Sequence, residues 1–350
     1  MVRRVAFAVP GDLAAPTGGY AYDRRMIREL EASGWSVDIV HLGDGFPYPA
    51  AEEREEARAR LAGIPAGGPI VVDGLAFGVL PDVAADLSRD HALIALVHHP
   101  LALESGLSAA QSEAFRASER AALASARSVI VTSAATARML AAEYDVPTDR
   151  ITIACPGTDP APPAEGSSDG IVRLLSVGAI VPRKGYDVLI AALANLKDLR
   201  WHLTIAGDRT RDPEAAARLD RDVKRFELAD RVSVLGAVSA ERLAELYKAT
   251  DLFTLASRYE GYGMVFSEAI AHGLPIVGTR AGAILDTVPA GAGLLVPAGD
   301  ADALATALRR AIEDTAERRR MAAAARDAAR MLPTWRDSAR AFARALEAIA

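Results

Sequence analysis

The chain has 350 residues, of which 51% are hydrophobic and 25% charged, and its formal net charge at pH 7 is −6. This length and composition predict a globular protein with two domains. The negative charge argues against a protein that holds nucleic acid over a broad surface, and the single cysteine, Cys155, excludes an intrachain disulfide.

Apolar runs alternate with helix-like stretches through the first half of the chain. The predicted strands are 4–9, 36–42, 69–72, 93–97 and 128–131. The predicted helices are 22–32, 52–61, 109–124 and 136–143. This alternation predicts a parallel sheet that is covered by helices on both faces.

Residues 156–170 are rich in proline, alanine, glycine and serine and lack an apolar period, which predicts an interdomain linker. The alternation then restarts, with strands predicted at 172–177, 202–206, 232–235, 252–255 and 275–278. Helices are predicted at 186–195, 240–249, 265–271, 301–313, 316–331 and 335–348. The sequence therefore predicts two doubly wound α/β domains that face a cleft, with ligands at the carboxyl ends of the strands.

The segment 256–275 carries the densest chemistry of the chain. A predicted strand ends there, and a loop with Gly261 and Gly263 leads into a helix. The two glycines allow the backbone to approach a ligand closely. The N–H groups of residues 262–265 lie at the positive end of the helix, which is a phosphate-binding arrangement.

Two glutamates in this segment are candidate ligand-binding groups. Glu268 lies one turn into the helix, where its carboxylate could accept two hydrogen bonds from a ribose diol. Glu260 precedes the helix, at the position where a hexose would lie. A glutamate near a helix N-terminus is also a favourable charge–dipole pair without any ligand, so each residue alone leaves both interpretations open.

The whole string resembles the retaining glycosyltransferases of family 4, which have the GT-B fold. Their motif has two glutamates separated by seven residues, and here it reads Ser257-Arg-Tyr-Glu-Gly-Tyr-Gly263, then Glu268-Ala269 and Gly273-Leu-Pro275. The resemblance implies that Glu268 binds the nucleotide ribose and that Glu260 contacts the donor sugar as a catalytic residue. It also implies that the donor is held by the backbone of Gly261, Tyr262, Gly263, Met264 and Val265.

Residues 177–185 resemble the diphosphate loop of the same family. The resemblance implies that Lys184 and Arg183 neutralise the charge of the donor diphosphate, and a solvated basic turn is the alternative. Many family members carry arginine where this chain has Ala179. Arg183 is the candidate to supply that second contact.

Three further segments extend the resemblance. Residues 234–238, followed by Leu243 and Tyr247, resemble the loop close to the nucleotide base. Residues 282–286 and 293–296 resemble two glycine-containing segments of the family. In the first of these, Leu285 and Asp286 replace proline and glutamate, so no chemistry is assigned to it.

The N-terminal half resembles the family more loosely. Gly18 and Gly19 resemble its Gly-Gly loop, which approaches the donor diphosphate across the cleft, and a plain turn is the alternative. His98 follows a predicted strand and matches the strand-end histidine beside the donor sugar, which makes it a second catalytic candidate. Candidates for the acceptor side are Tyr20, His99 and Glu104.

The resemblance implies a GT-B chain of three parts. Residues 1–160 form the acceptor-side domain, and residues 161–333 form the donor domain. Residues 334–350, which begin at Trp335 with a closing helix, pack back on the first domain.

The implied activity is transfer of a hexose from a nucleotide-diphosphate sugar to a hydroxyl acceptor, with retention of anomeric configuration and without a metal or other cofactor. An epimerase or hydrolase of sugar nucleotides on the same fold is an alternative, and so is a non-catalytic protein that binds a nucleotide sugar. A dehydrogenase fits poorly, because Gly261-x-Gly263 is followed by Phe266 where close helix packing needs a small residue.

Composition also indicates the cellular compartment and the partners of the protein. One cysteine favours the cytoplasm. The sequence lacks the ~20 consecutive apolar residues of a membrane-spanning helix and the pattern of a signal peptide, which leaves peripheral membrane contact open. Nucleic acid is not an expected partner. The donor sugar, the base and the acceptor do not follow from the residues.

Overall fold

The computed structural model describes residues 3–66, 68–104 and 106–349. They form two compact units. Unit 1 comprises the chain up to Gly157 together with the chain from Pro333 onward, and unit 2 comprises Thr158–Leu332.

Unit 1 is built on a parallel sheet of six strands. The strands are β1 (Arg3–Val9), β2 (Trp35–His41), β3 (Pro69–Asp73), β4 (Ala92–Val97), β5 (Ser128–Val131) and β6 (Ile151–Ile153). Their order in the sheet is β2-β1-β3-β4-β5-β6. Every residue of β3 and β5 is buried, which is typical of a parallel sheet with helices on both faces.

The α-helices that the structure describes between these strands are α1 (Gly18–Ala32), α2 (Ala51–Ala62), α3 (Gly74–Phe77), α4 (Pro81–Leu87), α5 (Ala109–Ala124) and α6 (Ala134–Glu143). The hydroxyl of Thr17 begins α1 by accepting the Tyr20 N–H. One face of α1 buries Tyr22, Met26 and Leu30 at helical spacing, together with Asp23. A carboxylate inside an apolar stripe is unusual, and it belongs to the site described below.

Unit 2 repeats the architecture. Its strands are β7 (Val172–Val177), β8 (Trp201–Ala206), β9 (Val232–Val234), β10 (Leu252–Leu255), β11 (Ile276–Thr279) and β12 (Gly293–Val296), in the order β12-β11-β10-β7-β8-β9. Its helices are α7 (Tyr186–Ala194), α8 (Pro213–Arg225), α9 (Ala240–Lys248), α10 (Met264–Ala271), α11 (Ile284–Thr287), α12 (Ala301–Glu313) and α13 (Thr315–Ala329). All pairings in both sheets are parallel.

The last helix, α14 (Trp335–Glu347), packs on α1 in unit 1. Phe342 is fully buried and stacks on Phe7 of β1, with ring centroids 6.2 Å apart. Trp335 lies against Tyr22, with centroids 6.0 Å apart. Two doubly wound parallel sheets, with the closing helix returned to the first of them, confirm the predicted fold class.

Residues 158–170 contain no helix or strand, and they belong to unit 2. They are attached to it by backbone hydrogen bonds from Ala164 to the His272 carbonyl and from Glu165 to the Lys248 carbonyl. Among the residues that the structure describes, no helix is both long enough and apolar enough to cross a lipid bilayer.

Candidate functional site

The strand order of unit 2 brings two loops together. From β7 the chain moves outward to β8 and β9, and it then returns to β10 on the other side of β7. The carboxyl ends of β7 and β10 therefore flank the point where the winding reverses, which is where open α/β sheets bind ligands. The loop after β7 carries Lys184, and the loop after β10 carries Glu260.

The loop after β7 is held in one conformation by local contacts. Residues Pro182–Lys184 form one 3₁₀ turn, which Gly185 ends at a φ of +67°. A Cβ atom on Gly185 would lie 2.0 Å from the Ala256 carbonyl oxygen, so only glycine fits. Arg258 clamps the same turn from the second loop by donating its backbone N–H to the Arg183 carbonyl at 2.8 Å.

Glu260 lies at the centre of a buried ion cluster. Its Oε1 is 2.7 Å from Lys184 Nζ and accepts the Ser257 hydroxyl at 2.6 Å, while its Oε2 is 3.4 Å from Arg183 Nη1. The Glu260 side chain is only 6% exposed. Two residues that the sequence analysis assigned to the diphosphate thus lie directly against the residue that it assigned to the donor sugar.

The electrostatics of this cluster favour an anionic ligand. Burial raises the pKa of Glu260, but Lys184 and Arg183 outweigh it and hold the pKa below its usual range. Burial lowers the pKa of Lys184, and the charges of Arg183 and Arg211 act in the same direction, while Glu260 opposes them. The carboxylate of Glu260 and the two cations Lys184 and Arg183 together carry a formal charge of +1. The nearby guanidinium of Arg211 makes the site more positive still.

The N-terminus of α10 adds backbone donors beside the cluster. Gly263 caps the helix at a φ of +85° and offers no side-chain hydrogen bond, and the first turn contains no acidic residue. The first N–H groups of a helix have no partner within it, so those of Met264 and Val265 are suited to phosphate oxygens. Gly261 and Tyr262 form the loop that leads to this end.

Glu268 is buried on α10 and is paired with a tyrosine. The Tyr247 hydroxyl on α9 donates to Glu268 Oε2 at 3.0 Å. Burial raises the pKa of Glu268 to about 7, and the hydrogen bond from Tyr247 limits that rise. The carboxyl group therefore changes its charge near neutral pH.

Residues 282–286, to which the sequence analysis assigned no chemistry, hold the Glu260 loop in position together with Thr287. The Ala283 N–H donates to the Glu260 carbonyl at 2.9 Å, and the Thr287 hydroxyl donates to the Tyr262 carbonyl at 2.8 Å. Gly282 packs so tightly that an added Cβ would lie 2.2 Å from the Glu260 carbonyl oxygen. The segment therefore shapes the backbone that carries the site.

Unit 1 gathers a second cluster at the carboxyl ends of its strands. Gly18 and Gly19 open α1 after β1, and His98 follows β4. A Cβ atom on Gly19 would lie 3.3 Å from the His98 ring, so glycine permits this close approach. The edge of the Tyr22 ring contacts the imidazole from α1, with centroids 5.3 Å apart.

Two buried carboxylates hold the His98 ring. Its Nε2 is 3.1 Å from Asp23 Oδ1 and 3.4 Å from Asp73 Oδ2, and both aspartates are at most 1% exposed. Burial alone lowers the pKa of His98, but Asp23 and Asp73 outweigh it and raise the pKa. The potential ligand atoms of Asp23, Asp73 and His98 lie within 4.8 Å of one another, a spacing that is also found in metal sites.

The acceptor-side candidates lie in the same unit. His99 Nε2 is 2.6 Å from Glu104 Oε1, so these two form a pair. The Tyr20 hydroxyl donates to the Pro10 carbonyl at 2.5 Å and fixes the turn after β1. Their part in acceptor binding stays a prediction.

Several contacts were not predicted from the sequence. Asp23 could have been noticed as a carboxylate within the apolar stripe of α1. Asp73 makes two contacts: its Oδ1 caps α3 by accepting the Leu75 N–H at 2.7 Å, while its Oδ2 faces His98. The Tyr247–Glu268 contact and the proximity of Arg211 to Lys184 had no signal in the spacing of the residues.

Known glycosyltransferases are similar to this chain in sequence. The family model of glycosyl transferases group 1 matches residues 160–328. A D-inositol 3-phosphate glycosyltransferase from Rhodococcus opacus (strain B4) is 30% identical over 270 residues, which are 70% of this chain and 59% of that protein. The chain spans about half the length of the curated relatives that it matches.

Two solved structures share the fold over nearly the whole chain. Sucrose-phosphate synthase from Thermosynechococcus elongatus has a TM-score of 0.82 at 24% identity, with 98% of each chain covered. The Anabaena protein HepE, solved in complex with UDP-glucose, has a TM-score of 0.74 at 18% identity, with 98% of this chain and 99% of that chain covered. With its matching segment 160–328 and its two doubly wound sheets, the chain belongs to the group 1 family of glycosyl transferases and has the GT-B fold.

Proposed function

We propose that this protein transfers a hexose from a nucleotide-diphosphate sugar to a hydroxyl acceptor, with retention of anomeric configuration. The observation that carries the proposal is the cluster of Lys184, Arg183 and Glu260 beside the N-terminus of α10. Cations and helix amides stabilise a leaving diphosphate. The Glu260 carboxylate lies beside the two cations, where it would be close to the donor sugar. Glu268, one turn further along the helix, serves the ribose.

The relatives support a sugar-nucleotide donor. HepE was solved with UDP-glucose, and the relative from Rhodococcus opacus is named as a glycosyltransferase. We therefore use UDP-glucose as the first probe for this chain. In unit 1, we propose that His98 serves the transferred sugar, as its match to the strand-end histidine of the family implies. One cysteine in 350 residues favours a cytoplasmic setting for the reaction.

A two-step experiment tests the function. A thermal-shift panel of nucleotides and nucleotide sugars identifies the donor, because a ligand at 100 times its dissociation constant adds about 2.7 kcal/mol of stability. The selected donor is then incubated with and without a panel of hydroxyl acceptors. Glycosylated product that requires an acceptor supports transfer. Turnover of the donor alone to an epimer or to free sugar would contradict it, and so would binding without any turnover.

Replacing Glu268 by alanine is expected to weaken nucleotide-sugar binding about 10- to 150-fold. A hydrogen bond to a charged acceptor contributes about 1.5–3 kcal/mol, and the variant removes that acceptor from a buried site. Isothermal titration with UDP-glucose, or with the donor that the panel selects, measures the change. Unchanged affinity would contradict the assignment of Glu268 to the ribose.

Binding of the same donor is expected to strengthen as the pH rises from 6 to 8. Glu268 has a pKa of about 7 in the free protein, and its ionised form is the better acceptor for ribose hydroxyls. The ionised fraction changes about tenfold across this interval, so the affinity should change by a similar factor. Tyr247→Phe removes the hydrogen bond that favours the charged form, so its binding curve should move to higher pH. Identical curves would contradict the model.

Activity is expected to survive EDTA. Lys184 and Arg183 supply the positive charge that a metal ion would otherwise bring to the diphosphate. Initial rates with and without EDTA, and after addition of Mg²⁺ or Mn²⁺, provide the measurement. A rate that EDTA abolishes and either metal restores would contradict this site model.

A further inference from the structure

The buried cluster around His98 in unit 1 has an unusual composition. Two carboxylates, Asp23 from α1 and Asp73 from the end of β3, lie within hydrogen-bonding range of one nitrogen of the ring. An ionised carboxylate can only accept hydrogen bonds. The Nε2 atom of His98 must therefore carry a proton to interact favourably with either of them.

The charge on the ring follows from what surrounds it. Burial raises the pKa of Asp23 to about 6, so this carboxyl is ionised at pH 7 and above. There, a neutral ring with its proton on Nε2 would leave the buried aspartates without a counter-charge, which is costly. The Tyr22 ring also packs against the imidazole. Its hydroxyl donates to the Ala154 carbonyl at 2.9 Å, and burial raises the pKa of Tyr22 well above its ordinary value. Within the described part of the chain, the ionisable neighbours of His98 are thus Asp23, Asp73 and a neutral tyrosine, and they favour an imidazolium.

We propose that Asp23 and Asp73 are positioning residues that keep His98 doubly protonated, so that His98 meets the substrate as a hydrogen-bond donor and a fixed positive charge. Both carboxylates are directed at Nε2, which leaves Nδ1–H as the donor for an oxygen of the substrate. His98 therefore cannot serve as the general base that deprotonates an acceptor. The role of His98 toward the substrate rests on the proposed glycosyl transfer, whereas the charge of its ring does not.

The protonation state can be measured without any substrate. Protein with ¹⁵N-labelled histidine is titrated from pH 5.5 to 9, because ¹⁵N shifts separate an imidazolium from either neutral tautomer. His98→Gln assigns the signal among the six histidines. We expect His98 to remain doubly protonated above pH 8. A titration with a midpoint near the ordinary value of about 6.5 would overturn the proposal.

Variants test the role of each carboxylate. In Asp23→Asn and in Asp73→Asn, the midpoint for His98 should fall by about 1–3 pH units, because one neighbouring negative charge is lost. Asp82→Asn is the matched control, since Asp82 in the same unit pairs with Arg54 and Arg58 instead. A His98 signal that does not respond in either variant would overturn the assignment. So would a stoichiometric divalent metal detected by elemental analysis of the purified protein.

Transfer rates show whether Asp23 and Asp73 act on His98 or only stabilise the fold. Each Asn variant should transfer about tenfold more slowly than the wild type at pH 8.5, and the deficit should shrink at pH 6, where His98 regains its second proton. A deficit equal at both pH values would indicate a structural role only and would overturn the role of His98 toward the substrate. If no donor supports transfer while His98 stays doubly protonated, the proposed function fails and the charge assignment stands.

Discussion

Replacing Lys184 by alanine is expected to lower the turnover of sugar transfer about 100- to 1,000-fold, the usual effect of removing one donor aimed at developing negative charge. The Lys184 ammonium is largely buried and lies 2.7 Å from Glu260 Oε1, in the loop that resembles the diphosphate loop of the family. Without it, Arg183, Arg211 and the helix amides are left to stabilise the leaving group. Steady-state rates with saturating donor measure the change.

The same substitution should also destabilise the protein. Removing one partner of a buried ion pair typically costs about 3–5 kcal/mol, because the remaining charge loses its compensation. Lys197→Ala is the matched control, since Lys197 pairs with Glu227 at 3.2 Å in the same unit but both side chains are exposed. That variant should cost less than about 1 kcal/mol and leave turnover unchanged.

A double variant separates catalysis from stability. Lys184→Met combined with Glu260→Gln removes both charges, so much of the lost stability should return while the turnover does not. Chemical denaturation and transfer rates on the same preparations give both quantities. If turnover returned together with stability, the role of Lys184 would be structural, and the electrostatic account of the diphosphate site would be wrong.

The order of helices and strands was accessible from the sequence because parallel strands and their covering helices leave strong periodic patterns. The strands 128–131, 172–177 and 252–255 were predicted at the bounds that the structure has. The strand Ile151–Ile153 was not predicted, since three residues carry too little pattern. The helix Pro213–Arg225 was not singled out either, because its buried stripe consists of Ala215, Ala216 and Leu219 among charged residues.

The site was accessible only in part. The motif identified Glu260 and Glu268, but the contact between Glu260 and Lys184 joins residues 76 positions apart. That contact depends on β10 lying beside β7, which local pattern does not specify. The same holds for His98 and Asp23, which lie 75 positions apart. Spacing along the chain cannot encode contacts that the sheet order creates, so neither contact was predicted.

Sugar transfer is expected to retain the anomeric configuration of the donor. Inversion by direct displacement needs a general base that removes the acceptor proton on the face opposite the leaving group. His98 is held by two carboxylates at Nε2 and is proposed to be an imidazolium, so it has no lone pair for that proton. With His98 excluded, a leaving phosphate oxygen on the donor's own face can take that proton, and attack on that face gives retention.

Retention without a covalent intermediate on Glu260 is the specific expectation. Oε1 of Glu260 is engaged by Lys184 and Ser257 and its Oε2 by Arg183, which stabilises the charge and makes the carboxylate a poor nucleophile. Proton NMR of fresh product from an α-configured donor should therefore show an α linkage, and intact-protein mass spectrometry during turnover should show no glycosyl adduct. A β linkage would contradict retention. An adduct that maps to Glu260 would instead leave retention standing and replace the phosphate-assisted route with a double displacement, because two inversions at the anomeric carbon restore the original configuration.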